Sequence, residues 1–276
     1  MAITTTTDTA SIIEKRVSEI VTETLIQESV MMGAVKDFSA QVSAGMDRLD
    51  VPLFAELAIQ DVNESANMTP QSISLVTAQL PLSRHKAIPF SISDKASIQS
   101  KAMLVSETVK NGAKSLAWEI DNYLLSIVNT NASNREALTA NPLADIALAK
   151  KLLDEQNAPK AGRYLVASPA FCQALLGSSG IIDADKFGNS EPKQSGYVTR
   201  IFGFTVLESS SASIIDGGFH AFSMNALGFA RQIAPKFENQ RQVLGQKTDY
   251  VLAHLYGAIN LDPSGDRMVV FDVDGV

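Results

Sequence analysis

The sequence predicts an α+β fold, and two observations carry that prediction. From about Ser97 to Val128 apolar residues recur three or four positions apart with no proline, which indicates one very long helix. On either side, from Asp50 to Ser93 and from Phe219 to Phe271, the chain contains β-rich runs. These helices and strands follow one another without the regular βαβ rhythm of a parallel α/β fold.

The bulk composition is that of a globular protein that does not read nucleic acid directly. The 276 residues are 45% hydrophobic and 19% charged, and the formal net charge is -7, whereas nucleic-acid-binding domains usually present a basic face. The single cysteine, Cys172, excludes an intramolecular disulfide and fits a reducing compartment. No apolar run approaches the roughly 20 residues that span a bilayer. We therefore expect a soluble intracellular product with no membrane partner.

The N-terminal segment is predicted to be an amphipathic helix behind a flexible, Thr-rich leader. Apolar residues are spaced by three and four from Ile12 to Leu25, and charged residues fill the other face. Such a helix either packs on its own subunit or reaches across to a neighbour, and the sequence alone favours local packing.

The segment from Asp50 to Ser93 is predicted to be a long two-stranded excursion. Extended runs are indicated at 51–54, 73–82 and 88–92, with turn formers between Asn63 and Pro70. Because a lone hairpin is marginally stable in water, this one must lean on the parent domain or on another subunit.

The long helix that follows is predicted to begin at an N-cap, Asp94. Thirty residues of helix span about 45 Å, a length suited to a backbone along which sheets pack. Gly112 lies inside this helix and is predicted to mark a close contact between backbones.

The middle and the end of the chain alternate between short helices and strands. Ser168 and Pro169 suit the start of a helix, because serine caps free amides and proline needs no donor in the first turn. Gly257 interrupts an apolar run, as at a bulge or a close approach of backbones. The predicted elements are a helix at 143–156, strands at 164–167, 202–207 and 250–261, and a polar loop at 177–196 with a functional or interface role.

The most specific chemical motif is Val269-Val-Phe-Asp-Val-Asp-Gly-Val276. It is similar to the nucleophile signature of haloacid-dehalogenase-type phosphatases, in which Asp272 would be the nucleophile and Asp274 the acid/base near a magnesium ion. That chemistry also needs a downstream helix, a hydroxyl, a lysine and further carboxylates, and this sequence ends at Val276. A final strand with a polar tail is therefore the favoured interpretation.

Three further residues, Asp262, Gly265 and Asp266, lie close enough together to suggest a calcium loop. The closing bidentate glutamate of such a loop is missing, so a Pro-Ser-Gly turn between two strands is favoured. Cys172 falls on a predicted helix and is expected to pack in the core.

The three histidines, His85, His220 and His254, lie far apart in the sequence and show no metal-ligand spacing. We expect each to be paired or solvated. The basic clusters at 84–86 and 150–151 are expected to be solvated faces. We predict no catalytic, cofactor-binding or metal site.

The order of these parts resembles the Hong Kong 97-type capsid fold of tailed bacteriophages. In that family a flexible N-terminal arm, a long β excursion called the E-loop, a spine helix and an α/β axial region follow one another as they do here. The resemblance covers nearly the whole chain, from about Ile12 to Phe271, and rests on the segments at 43–52, 88–94, 163–169, 201–209 and 255–259.

The resemblance implies a division of the chain into five parts. These are an N-terminal arm and lead-in (1–49), the E-loop (50–93), a peripheral domain with the spine helix (94–142), an axial domain (143–218) and a β-rich return through both domains (219–276). The E-loop would lie over a neighbouring subunit, and the loop at 177–196 would point toward a symmetry axis.

The resemblance also implies a function, which is that of a major capsid protein. Hexamers and pentamers of the chain would form an icosahedral head around double-stranded DNA, assembled in the host cytoplasm, and the DNA would be contacted without sequence specificity. Portal and decoration proteins are possible partners. Because the chain starts at Met1 with only a short arm, we expect a separate scaffolding protein or none. Deletion of Met1 to Leu25 is expected to leave a soluble subunit that assembles less well.

Three alternatives remain open at this stage. An encapsulin-type nanocompartment shell shares the fold and would enclose an enzyme cargo. A tail or connector component would form rings or tubes. An α/β hydrolase or phosphatase using Asp272 and Asp274 would form a small oligomer with turnover.

Overall fold

The computed structural model shows two sheets and a two-stranded arm packed about one long helix, which confirms the α+β class. It describes residues 17–25, 27–54, 59–62, 70–72, 75–99, 104–178, 200–214 and 217–273. No helix among these residues is long and apolar enough to cross a bilayer.

The regular elements alternate along the chain in no repeating order. The helices are α1 (residues 17–25), α2 (Asp94–Gln99), α3 (Leu104–Asn131), α4 (Pro142–Glu155) and α5 (Pro169–Leu176). The strands are β1 (Lys36–Asp37), β2 (Arg48–Phe54), β3 (Leu75–Pro81), β4 (Arg84–Ser93), β5 (Asn134–Ala137), β6 (Arg163–Ala167), β7 (Arg200–Ile201), β8 (Phe204–Glu208), β9 (Phe219–Ser223), β10 (Leu227–Gln242), β11 (Lys247–Asn260) and β12 (Met268–Asp272).

A long antiparallel hairpin, β10–β11, is the centre of a four-stranded sheet in the order β1-β10-β11-β4, which we call the hairpin sheet. The register of β10 shifts at Ile233 and again before Lys236, as at a β-bulge. Strand β4 pairs with β11 over its whole length. The two-stranded part of the 50–93 excursion therefore ends at Pro81, where β3 stops pairing with β2.

The second sheet has six strands in the order β5-β12-β9-β6-β8-β7 and mixes parallel with antiparallel pairs. One face packs against α3, and the other packs against α4 and α5. The second face is centred on Phe219, whose ring lies 4.6 Å from that of Phe171 and 4.5 Å from that of Phe271. Aromatic pairs at this spacing add packing energy beyond the area that they bury.

The long helical pattern is helical on both sides of residues 100–103, which lie outside the described chain: α2 covers Asp94–Gln99 and α3 covers Leu104–Asn131. Ten residues of α3 are buried, because one stripe of the helix faces both sheets. The prediction that Asp94 is the N-cap is wrong by one residue. The hydroxyl of Ser93 accepts from the amide of Ala96 at 3.3 Å, and the Asp94 carboxylate instead accepts from Arg241 at 2.5 and 2.6 Å.

The two shorter helices of the middle region begin where their capping side chains predict. The predicted helix at 143–156 is α4, and Asn141 caps it by accepting from the amides of Leu143 and Ala144. Ser168 caps α5 by accepting from the amide of Phe171 at 3.2 Å, which confirms the Ser-Pro prediction. Most of the loop at 177–196 lies outside the described residues.

Two predictions about glycine and turn positions need correction. The strand predicted at 202–207 begins at Phe204, because Phe202 and Gly203 have φ of 46° and 91° and form the tight turn between β7 and β8.

Gly112 of α3 does not mark a contact between backbones. A side chain there would meet Leu252 at 3.3 Å and Ile88 at 3.7 Å, so the glycine lets α3 pack tightly on side chains of the hairpin sheet.

The described part of the N-terminal helix packs on its own subunit. Val21 and Leu25 are completely buried in the core cluster that contains α3. The hydroxyl of Ser18 accepts from the amide of Phe237 at 3.3 Å, which ties α1 to β10. Residues 1–16, which include the start of the predicted helix, lie outside the described chain.

Candidate functional site

The candidate functional surface is the arm formed by β2 and β3. The base of the arm crosses the hairpin sheet at Gly257, where an added Cβ would overlap the carbonyl oxygen of Pro81. Only glycine permits this approach, which confirms the prediction of a close contact of backbones at that position. Leu80 is completely buried beside the crossing and anchors the arm.

Beyond the crossing most of β3 is exposed, whereas β2 is held by Val51, which is buried in a small core cluster. Along β3, from Leu75 to Pro81, only Leu80 is buried and Ala78 half-buried, and the other five residues are exposed. Leu75 and Val76 are 59% and 51% exposed although they are adjacent and therefore point to opposite faces of the ribbon. Apolar side chains exposed on both faces of a two-stranded ribbon make it a candidate contact surface.

The tip of the β10–β11 hairpin is a second exposed apolar surface. Val243 and Leu244 lie at the tip, and the side chain of Leu244 is fully exposed. The tip is braced against the start of α2, because Asp94 pairs with Arg241 and its amide donates to the carbonyl of Gln246. The hydrogen bond and charge of Arg241 lower the pKa of Asp94.

The spine helix α3 is also joined to the N-terminal segment through a buried carboxylate that sequence reasoning missed. Asp121 accepts from the hydroxyl of Ser29 at 2.6 Å and from the amides of Val30 and Met31 at 2.9 and 3.0 Å. Burial raises the pKa of Asp121, and these hydrogen bonds offset part of that rise. The available signal was an aspartate on the apolar stripe of the helix, next to Ile120 and three residues before Leu124.

The phosphatase motif does not form an accessible site. Asp272 is the last residue of β12, is buried, and lies 3.6 Å from Arg135. Asp274 lies outside the described residues. Within the described ranges no group of three or more His, Cys, Asp or Glu side chains could hold a metal ion. The expectation that the chain has no catalytic or metal site stays a prediction.

The Asp262–Asp266 segment is the predicted turn between β11 and β12. Asp262 accepts from the hydroxyl of Ser264 at 2.9 Å and from the amide of Arg267 at 2.7 Å, so its carboxylate is used within the turn. Gly265 has φ of 72° and lies against the backbone of Asn131, where only glycine fits.

Cys172 packs against the core cluster beneath the six-stranded sheet, as predicted. Burial and the nearby Glu208 carboxylate raise the pKa of its thiol to about 11. A thiol that stays protonated is a poor nucleophile.

Each of the two basic clusters contributes a lysine to an exposed or half-exposed ion pair. Lys86 pairs with Glu119 at 2.6 Å, and Lys151 pairs with Glu155 at 3.5 Å.

The histidines are not brought together, and two of them are buried. His85 is exposed on β4, whereas His220 lies in the six-stranded sheet and His254 in the hairpin sheet. Burial lowers the pKa of both buried imidazoles to about 4, with help from Arg135 at His220 and Arg231 at His254. The expectation that every histidine is paired or solvated is wrong for His254, which has no hydrogen-bond partner at either nitrogen.

Solved structures with the same fold are those of phage capsids and related particles. A Mycobacterium phage Che8 chain matches with a TM-score of 0.75 and 24% identity over 90% of this chain and 92% of that one. The capsid of cyanophage P-SCSP1u matches at 0.68 with 16% identity over 88% and 87%. A virus-like particle from Pyrococcus furiosus matches at 0.62 with 10% identity over 94% and 98%. The fold is therefore the Hong Kong 97-type capsid fold predicted from the order of elements.

The family follows from the sequence itself. The family model described as phage capsid protein matches residues 79–265, which is more than half of the chain. The chain belongs to this family of phage capsid proteins, a family of structural proteins. No curated protein sequence matches it.

Proposed function

We propose that this capsid protein self-assembles as hexamers and pentamers into an icosahedral phage head that encloses double-stranded DNA. The observation that carries the proposal is the arm, whose outer part exposes Leu75 and Val76 on opposite faces. A neighbouring subunit beneath the arm would bury this surface and support the outer part of the ribbon. Burial of modest patches repeated over many copies stabilises a shell although each contact is small.

The five-part division of the chain is part of the same proposal. The E-loop (50–93) contributes the arm and then β4, the peripheral part (94–142) contains α3, and the axial part (143–218) contains α4, α5 and β6. The loop at 177–196 would lie at the symmetry axis of each hexamer or pentamer, where Gly and Ser residues accommodate different packings.

The partners in the proposal follow from charge and from the needs of assembly. A net charge of -7 limits adhesion to the packaged DNA, so contacts with it would be non-specific. A separate scaffolding protein, a portal and decoration proteins are further proposed partners, and assembly is placed in the host cytoplasm. The chain is proposed to have no enzymatic activity and no cofactor, in agreement with the buried, paired state of Asp272.

Electron microscopy and sedimentation of the chain expressed alone, and then with a scaffolding protein, test the proposal. Closed polyhedral shells or rings of five and six subunits support it, and a stable monomer or dimer under both conditions would refute it. An encapsulin-type shell has the same fold, and the match to the phage capsid family favours the phage head over it. Particles that contain DNA when purified from infected cells separate the two, because a nanocompartment encloses protein cargo.

A pair of matched variants tests the role of the arm. Val76→Asp places a charge on the outer arm and is expected to abolish shells while leaving the subunit folded. Val273→Asp is the control, since Val273 is 61% exposed against 51% for Val76 and lies outside the arm. If Val76→Asp assembles as well as the control, the arm does not lie on a neighbour.

A further inference from the structure

His254 lies in the middle of the contact between α3 and the hairpin sheet. Leu252, two residues before it, packs at Gly112 of α3. Tyr256, two residues after it, has its ring 6.0 Å from that of Tyr123 of α3. Alternate residues of a strand face the same side, so the imidazole points at α3 between these two contacts. Its side chain is completely buried.

Within the part of the chain that the structure describes, no group hydrogen-bonds to Nδ1 or Nε2 of the imidazole. The buried hydroxyl of Tyr256, whose ring is 5.0 Å away, likewise has no partner among these residues. Buried polar groups are nearly always hydrogen-bonded, so two adjacent exceptions mark a place where the folded state is poorly stabilised. The imidazole is therefore buried in this layer without a hydrogen bond from another protein group to hold it.

The charged groups around His254 disfavour a proton on it. Lys86 is opposite it on β4, Arg84 is opposite Tyr256, and Arg231 of β10 acts on the imidazole from the other side. From α3, Glu119 is the nearby carboxylate, and it already pairs with Lys86 at 2.6 Å. Protonation would therefore place a further positive charge in a buried contact beside these cations, which is unfavourable.

A surface groove borders this layer at Lys86, the residue opposite His254 on β4. A groove of about 540 Å³ lies between β4 and α3, and Lys86, Ile88, Trp118 and Glu119 are among the residues that line it. Strand β4 is at the edge of the hairpin sheet, so it can move away from α3 without breaking pairs to a further strand.

We propose that acid releases the contact between α3 and the hairpin sheet by protonating His254. The contact then opens at the groove lined by Lys86 and Trp118. At neutral pH the imidazole is uncharged and the contact stays closed. Burial, assisted by Arg231, holds the pKa of His254 at about 4 against an ordinary value of 6.5. Complete protonation of an imidazole freed by opening would favour the open form by up to about 300-fold. The device works within one subunit and does not depend on shell assembly.

Trp118 is a reporter for the opening, because it is the only tryptophan in the chain, lines the groove and is 48% exposed. The experiment follows its emission in the full chain from pH 7 to pH 3.5, with far-UV circular dichroism recorded in parallel. We expect the emission to shift to longer wavelength below about pH 5 while helix and strand content is retained. An emission change that occurs only together with loss of secondary structure would overturn the proposal.

Three variants test whether His254 causes the shift in Trp118 emission. His254→Leu is expected to remove the shift, and His220→Leu, which alters the buried histidine of the other sheet, is expected to keep it. Lys86→Met serves if His254→Leu does not fold. It removes the cation opposite His254 on β4 and frees Glu119, so the transition is expected to move to lower pH or shrink. Transitions in the folded variants that match the wild type would exclude His254 as the trigger. A preparation that shows the response and yet never forms shells would refute the assembly proposal and leave this one standing.

Discussion

Gly257 of β11 and Pro81 of β3 lie in direct backbone contact where the arm crosses the hairpin sheet, so closely that a Cβ on Gly257 would overlap the Pro81 carbonyl oxygen. This contact fixes the direction in which the arm leaves the subunit. It links a local property of one residue, the lack of a side chain, to the position of the surface that is proposed to meet a neighbour.

Gly257→Ala is therefore expected to displace the arm. The overlapped atom belongs to the backbone and has no alternative rotamer, so we expect a loss of about 3 kcal/mol in the free energy of unfolding together with loss of shells. Chemical denaturation of the subunit and electron microscopy measure the two effects. Gly33→Ala is the matched control, because nothing lies within 4 Å of a Cβ built there. Equal stability of the two variants would show that the crossing is looser than described.

Asp121→Ala is expected to release the N-terminal segment from α3. The change leaves the amides of Val30 and Met31 without an acceptor, and an unpaired buried donor costs about 1–3 kcal/mol. Denaturation measures the loss, and faster hydrogen exchange at the two amides locates it. Glu107→Ala on the same helix is the control, since its carboxylate is exposed and pairs with the exposed Lys110 at 3.5 Å. Unchanged hydrogen exchange at Val30 and Met31 would argue against their hydrogen bonds to Asp121.

Acid is expected to destabilise the subunit through its two buried histidines. The folded pKa of His220 and of His254 is about 4, below the ordinary 6.5, so the unfolded chain binds more protons between these values. The free energy of unfolding is therefore highest above pH 6.5 and falls by up to about 3 kcal/mol per histidine as the pH approaches 4. Denaturation of unassembled protein at pH 7 and 4.5 measures this slope. A variant with both histidines replaced by leucine should lose most of it, whereas His85→Asn, at an exposed position, should not.

Two truncations separate folding from assembly at the N-terminus. Because Val21 and Leu25 are buried in their own subunit, removal of residues 1–25 is expected to cost about 3 to 6 kcal/mol of folding free energy. This changes the expectation from sequence, in which that deletion weakened assembly alone. Removal of residues 1–16 keeps α1, so denaturation and electron microscopy of that variant measure separately what those residues contribute to folding and to assembly. A 1–25 deletion as stable as the full chain would contradict the packing of α1.

Much of the local structure could be predicted because its causes lie within a few residues. The spacing of apolar residues predicts α3, the Ser168-Pro169 pair predicts the start of α5, and the Asp262 turn follows from residue types that favour turns. The N-cap of α2 was misplaced because Ser93 and Asp94 are both good caps, and the distant Arg241 binds Asp94. The order of elements was enough to predict the fold family.

By itself the sequence determined the element types, the approximate bounds of the helices and the family to which the chain belongs. Only the tertiary structure decided that β4 joins the hairpin sheet, that the arm crosses at Gly257, that Asp121 binds a segment about 90 residues away and that His254 is buried. The physical reason is that strand pairing and burial depend on residues far apart in the chain. Contacts between such residues produce no periodic pattern in the sequence of either segment.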